Sequence, residues 1–393
     1  MILKEKLLEH PPKSLNFKYL VVSIITICLP WTLQSKPIKS ISQLKSMIRR
    51  SSSKKIESTL REFVNCCSPN RTVGTKGHKM AIDYLKEKIS SFDPENEGVL
   101  SVQEFVPQIS LAKKMYRSDW AAYKKSNQKM AGTVEYERWK SFSFNMVKFL
   151  DRYKKFKAHN LIWEIKGSET PEEIFVIGTN FDNIVVDKNL RVPLLNEKGQ
   201  GADDNGSGVS LALKMIEFFS KNRPKKTLKV VFFDFQELGF LGSRHFVSNL
   251  SKELKAGKGK KFLGSIHLIM LGYDSKMRDQ KKKLLNMELH GQRPSAKSFE
   301  AENKLAIKLQ DYGKKMGRSI DFSYKKSGFG ITDSVAFWEE HLPSVVFTQN
   351  WADDPNTKRH HTSNDFAETL NFRTLRESFV YITGAVAGIL NDL

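Results

Sequence analysis

Gly201-Ala-Asp-Asp-Asn-Gly-Ser-Gly208 is the stretch on which the fold turns. It is polar and glycine-rich, and it opens directly onto Leu211, Ala212, Met215, Ile216 and Phe219, whose spacing lines one face of a helix. Before it comes Ile174-Phe-Val-Ile-Gly178, and after the helix comes Leu228-Lys-Val-Val-Phe-Phe233. Such nearly unbroken apolar runs suit strands covered on both faces, as in a parallel sheet. Working outward, further strands are expected over 99–106, 159–165, 262–270 and 344–348, and helices from residue 56, over 78–89, over 299–316 and over 370–390. Alternating strands and helices predict an α/β fold, a mostly parallel central sheet with helices on both faces, forming a single domain over 56–393.

Open α/β sheets place their working residues at the carboxyl ends of strands. Here those ends carry Asn180 and Asp182, then Gln236 and Glu237, with His361 in the loop after the last strand and Asp203 and Asp204 at the loop-to-helix turn. Singly, each has a plain explanation. Residues 203–207 suit a turn and helix cap, Glu237 a surface carboxylate, and His361 a loop position. Together, Asp, Glu and His arriving from separate loops form the donor pattern of a metal site. The chain has no Gly-x-Ser-x-Gly nucleophile elbow, and 201–208 lacks the Gly-x-Gly-x-x-Gly spacing of dinucleotide sites.

Four stretches carry a family resemblance: Gly178-Thr-Asn-Phe-Asp182, Gly201-Ala-Asp-Asp-Asn-Gly-Ser-Gly208, Phe235-Gln-Glu-Leu-Gly-Phe-Leu-Gly-Ser243 and His361-Thr-Ser-Asn-Asp365. They resemble the signature blocks of the zinc aminopeptidase (M28) family of metallopeptidases, to which the glutaminyl cyclases are close structural relatives. The resemblance covers about 56–393. It implies a bridging metal ligand at Asp203, with Glu237 and His361 completing one zinc site and Asp182 standing behind the ligands. The second zinc of the family would need ligands at Asn180 and Ile269, an amide and a side chain without a donor atom. The general-base glutamate position holds Gln236. The resemblance thus implies one zinc ion with a fourth position open. One zinc can polarise a carbonyl and bring a bound water toward a pKa of ~7, but an amide accepts no proton at neutral pH, and loss of a general base costs about 10²–10⁴ in rate. The expectation is a protein that binds or acts on peptide N-termini, or on aminoacyl ligands, with impaired hydrolysis, as in a pseudoenzyme. Two alternatives stand beside it: an active one-metal aminopeptidase, and a glutaminyl-cyclase-like acyl transferase.

The remaining features concern location and surface. Residues 1–35 join a lysine-bearing start to an apolar run over 19–33 and read as a secretory signal peptide or membrane anchor, so an exported protein is expected. Residues 36–55, rich in Ser and Lys, read as a linker. The formal net charge is +21, and an insertion over about 110–157 holds 13 Lys/Arg against 4 Asp/Glu with interleaved aromatics. Amphipathic helices packing their aromatics on the body are expected there, with an anionic envelope surface as partner and no specific nucleic acid. Cys66 and Cys67, adjacent in the chain, are expected as small buried residues without a disulfide.

Overall fold

The computed structural model describes residues 38–187, 192–257, 259–275, 285–317 and 319–393. Three helices come first, α1 (Ile41–Ile48), α2 (Ser53–Cys66) and α3 (Lys76–Phe92), followed by strand β1 (Val99–Phe105). A helical hairpin, α4 (Ile109–Ser126) and α5 (Val134–Phe149), leads to β2 (Ala158–Ile165) and β3 (Thr170–Asn180). The core continues with α6 (Gly208–Lys221), β4 (Lys226–Phe233), α7 (Leu241–Ala256) and β5 (Lys261–Leu268). Then come β6 (Leu285–Gly291), α8 (Phe299–Met316), β7 (Ile320–Lys326), α9 (Ser334–Glu339), β8 (Ser344–Thr348) and α10 (Phe372–Asn391).

The eight strands form one mixed sheet in the order β1-β2-β4-β3-β5-β8-β6-β7. The central pairs β3–β4, β3–β5 and β5–β8 are parallel, as is β6–β7, whereas β1–β2, β2–β4 and β6–β8 are antiparallel. The period of two along a strand builds the layers. Phe175 and Ile177 of β3, with Leu228, Val230 and Phe232 of β4, join the core under α2, α3, α6 and α10. Ile174 and Val176, with Val231 and Phe233, face the opposite way and pack against Phe246, Val247 and Leu250 of α7 and Phe337 of α9. This two-sided burial is why these strands read as continuous apolar runs.

Three expectations change. Part of the 36–55 segment is not a linker: 41–48 is helix α1, begun by Ser40, whose side chain accepts from the Gln43 N–H, and Leu44 and Ile48 are fully buried. Burying one apolar side chain contributes about 1.5–3 kcal/mol, enough to hold a short helix against the body. Cys66 and Cys67 are joined by a disulfide, at the point where the chain leaves α2 and Cys67 departs from helical geometry. Strands β6 and β7 and helix α7 add to the elements expected from the sequence. Among the described residues no helix is long and apolar enough to cross a membrane, and the 1–35 segment lies outside them.

The 110–157 insertion is the α4–α5 hairpin. Ile109, Ala112, Tyr116, Met146 and Leu150 pack with Val73, Phe105, Phe235, Leu238 and Leu241 of the body. Its outer aromatics pack across the hairpin instead, Trp120 on Tyr136 and Tyr123 on Trp139.

One buried titratable side chain of the sheet gives a test. His267 of β5 is stacked on Phe233 and edge-on to Phe337, and burial lowers its pKa to about 3. The unfolded chain takes up a proton below pH ~6.5 while the folded one does not. Stability is therefore expected to fall on acidification between those values, by roughly 1.4 kcal/mol per pH unit from this residue. In urea unfolding at pH 7 and pH 5, His267→Leu should lose less stability on acidification than the wild type. Equal losses would show that His267 is not a source of acid sensitivity.

Candidate metal centre

The carboxyl ends of β3, β4 and β5 meet the turn before α6 at one edge of the sheet. Several residues there leave ordinary backbone geometry: Phe235 (φ 59°), Met270 (φ 50°) and His361 (φ 56°) are all left-handed without being glycine. Such departures cluster where surrounding structure over-determines the chain, often at functional sites.

Among the described residues, Asp204, His360 and His361 form a cluster of metal-capable donors whose ligand atoms all lie within 4.8 Å of one another. Asp204 Oδ2 is 2.9 Å from His360 Nε2 and 3.2 Å from His361 Nε2. Glu237 joins through His361, with Oε2 3.0 Å from the same Nε2. Burial opposes ionisation of Asp204, but the hydrogen bond and charge of His360, then those of His361, hold its pKa far below the usual carboxylate range. Burial likewise opposes a charged His361, and Glu237 and Asp204 overcome it, raising that pKa well above normal. The carboxylates thus call for a cation between them.

Whether that cation could be a metal is answered by the atoms left over. Asp204 Oδ1 and Glu237 Oε1 are buried and have no hydrogen-bond partner. Buried charged oxygens are ordinarily paired or bound to a metal, and a set of two carboxylates and two imidazoles suits zinc. The residues present fit a zinc ion.

Of the adjacent pair, Asp204 rather than Asp203, the residue expected as the ligand, meets Glu237's partner His361. The Asp203 carboxylate turns the other way: Oδ1 accepts from the Gly272 N–H at 2.9 Å and Oδ2 from Asn356 Nδ2 at 2.9 Å. Burial pushes its pKa up to about 6 against those two hydrogen bonds. Neighbouring residues on an irregular turn project in opposite directions, so only one of the two can face the cluster. His360 went unsuspected because its neighbour alone fitted a recognised pattern.

Asp182 and Asp365 support the cluster without joining it. Asp182 accepts from the N–H groups of Gln236 and Glu237, both at 3.2 Å. Asp365 accepts from those of Asp203 at 2.9 Å and Asp204 at 3.0 Å. Burial and then Asp203 raise the Asp365 pKa to about 8, and burial and then Glu237 raise that of Asp182 well above normal. Beneath them lies fully buried Arg71. It donates to the carbonyls of Phe181 (2.7 Å), Gly201 (3.0 Å) and Gln200.

The positions of Asn180 and Ile269 are occupied in other ways. Asn180 Nδ2 donates to the Asp182 carbonyl at 3.0 Å, and its Oδ1 accepts from Asn205 Nδ2 at 2.8 Å. Ile269 packs with Met270, Val346, Phe329 and Trp351. Gln236 is buried; its Nε2 donates to the Ile331 carbonyl at 3.3 Å, while Oε1 has no partner. The insertion also reaches this edge: the Tyr116 hydroxyl donates to the Glu237 carbonyl at 3.0 Å. Gly239, at φ 108°, lets α4 approach closely, since a Cβ there would stand 2.8 Å from that of Ala112.

The profile of peptidase family M28 matches residues 160–385. Aminopeptidase YwaD of Bacillus subtilis is 30% identical over 191 residues, which are 47% of this chain and 37% of YwaD. The chain therefore spans well under two thirds of that relative. Among solved structures, the Legionella pneumophila LapA aminopeptidase superposes with a TM-score of 0.59 at 18% identity, covering 97% of this chain and 81% of LapA. Bacteroides thetaiotaomicron glutaminyl cyclase bound to N-acetylhistamine gives 0.57 at 16% identity, covering 87% and 98%. These distant likenesses establish the shared α/β fold.

The geometry separates the two adjacent aspartates experimentally. After gel filtration in zinc-containing buffer, Asp204→Asn is expected to have lost zinc by elemental analysis. Asp203→Asn should keep it while losing about 1–3 kcal/mol in urea unfolding, the cost of breaking buried hydrogen bonds. Asp365→Asn should keep the fold with metal affinity lowered about 10–100-fold. The reverse pattern for Asp203 and Asp204 would refute the assignment.

Proposed function

Since the chain belongs to peptidase family M28, a family of zinc-dependent peptidases, we propose that it is a one-metal member that receives the free N-terminus of a peptide at this edge and hydrolyses it slowly. The observation that carries this reading is the closed Asn180–Asn205 amide pair. The engagement of both ends of the Asn180 amide and the packing of Ile269 in an apolar cluster support the absence of a second metal. Asp204, Glu237 and His361 would hold the remaining ion, with His360 within reach of the same carboxylate.

A zinc bound there would act as a Lewis acid toward the scissile carbonyl. The protein's own part is to orient and to move protons, and here it falls short. The buried Gln236 amide can hydrogen-bond a nucleophile or a substrate amine, but it takes up no proton at neutral pH. Engagement of His360 as well would give the ion four protein donors, the closed arrangement of structural zinc sites. Both features favour binding over turnover. Gln236 and Ile269 argue equally against cyclase-type acyl transfer, since the resemblance assigns carboxylates to both positions. The apolar run over 19–33 supports export. The basic hairpin, with Trp139 45% and Phe144 55% exposed, supports contact with an anionic envelope surface.

Purified protein should contain close to one zinc per chain. On a panel of aminoacyl amides and peptides with N-terminal glutamine, Gln236→Glu should exceed the wild type by about 10²–10⁴ in rate. Two zinc ions per chain would overturn the one-metal reading. Wild-type turnover in the usual enzyme range of about 1–10³ s⁻¹, abolished by Glu237→Ala, would overturn the claim of slow hydrolysis.

A further inference from the structure

A second constellation lies on β6 and β7, outside the donor cluster. Glu288 and His290 are two residues apart on β6 and share one face of the strand. Both are buried, at 2% and 5% exposure. Glu288 Oε2 lies 2.8 Å from His290 Nε2. On the other side of the ring, His290 Nδ1 lies 2.9 Å from the hydroxyl of Ser327. Ser327 follows β7 directly and is exposed. β6 and β7 run parallel, with His290 opposite Lys325 and Gly291 opposite Lys326, which brings Ser327 beside the imidazole.

The chemistry of this chain of contacts is directional. A carboxylate only accepts, so Nε2 carries the proton toward Glu288, and Nδ1 is left with its lone pair toward the Ser327 O–H. Burial tends to raise the Glu288 pKa, but the His290 hydrogen bond, the Trp351 N–H and Lys325 together lower it. The acid therefore stays ionised and keeps the ring in one tautomer. Arg293 Nε donates to the Ser327 carbonyl at 3.2 Å, which ties that residue's backbone in place. A nucleophile, a base touching it and a carboxylate orienting the base are the roles that define a Ser–His–acid triad, whatever the fold or order in sequence.

We propose that Ser327, His290 and Glu288 form a second, nucleophilic site that accepts acyl groups from esters with good leaving groups. Ser327 Oγ bonds to the acyl carbon as its proton passes to His290 Nδ1. The bond to the leaving alcohol then breaks, and the alcohol takes that proton. Water repeats the exchange at the acyl-serine, releasing the carboxylic acid and restoring the hydroxyl. The site is set apart from the metal cluster by a row of rings: His290 to Phe329 (4.4 Å), Phe329 to Trp351 (5.5 Å) and Trp351 to His360 (6.3 Å).

The test is to treat the full chain with an alkyl fluorophosphonate, which forms a Ser Oγ–P bond with loss of fluoride, and to map the adducts by mass spectrometry. Ser118 and Ser126, also exposed, act as internal controls in the same chain. Ser327 should be labelled about 100-fold faster than either, the order of a general-base contribution. It should label equally with a metal chelator present, which separates this site from the metal-dependent function above. His290→Gln should slow labelling at least about tenfold. No adduct at Ser327, or a rate no greater than that of Ser118 and Ser126, overturns the proposal, as does an unchanged rate in folded His290→Gln. If His290→Gln does not fold, the comparison with the two control serines decides alone.

Discussion

Two carboxylates that belong to no metal cluster hold the working edge of this protein together. Asp182, just past the end of β3, takes the backbone N–H groups of Gln236 and Glu237 past the end of β4. Asp365, in the last loop, takes those of Asp203 and Asp204 at the mouth of α6. Each clamp satisfies two donors that no strand or helix serves, and a buried N–H left unmade costs about 1–3 kcal/mol. The orientation of Asp204 and Glu237 follows from these clamps before any ion enters.

Other contacts brace the same loops. Asn205 donates to Thr179, Asn180 and the Leu268 carbonyl, and accepts from the N–H groups of Gly208 and Met270. One amide thus rivets β3, β5 and the turn between them. From the far side α4 leans on Gly239, and Tyr116 fixes the Glu237 carbonyl. The insertion is therefore part of the scaffold of the site as well as a basic surface. Its aromatics are divided accordingly, inner ones against the body and outer ones against each other.

How much of this was legible in the sequence follows from the same physics. β3, β4 and β8 were readable because both their faces are buried, which leaves a continuous apolar run. β7 was not, because its residues alternate between buried and half-exposed and it ends in Lys325 and Lys326. α1 was hidden in a Ser/Lys-rich stretch where only a few apolar residues seat it on the body. Within the site, the loops that matter were identifiable by composition. Which of Asp203 and Asp204 faces inward depends on backbone dihedrals that a pair of identical residues does not encode. Asp365 and Tyr116 act through backbone groups of distant loops, a role with no spacing to betray it. The Ser327 contact depends on the β6–β7 register, which pattern reading had no strands to supply.

Arg71 has a consequence for what the ion means to the fold. Its guanidinium is buried among carbonyls, within electrostatic reach of Asp365, Asp204, Asp182 and Glu237, and burial lowers its pKa only to about 10. The site accordingly keeps the Arg71 charge at any ordinary pH, through covalent attachment rather than through supply of a solute. Carboxylates that share a permanent counter-ion can be brought together by the folding chain alone. Zinc would then come and go as a guest of finished architecture.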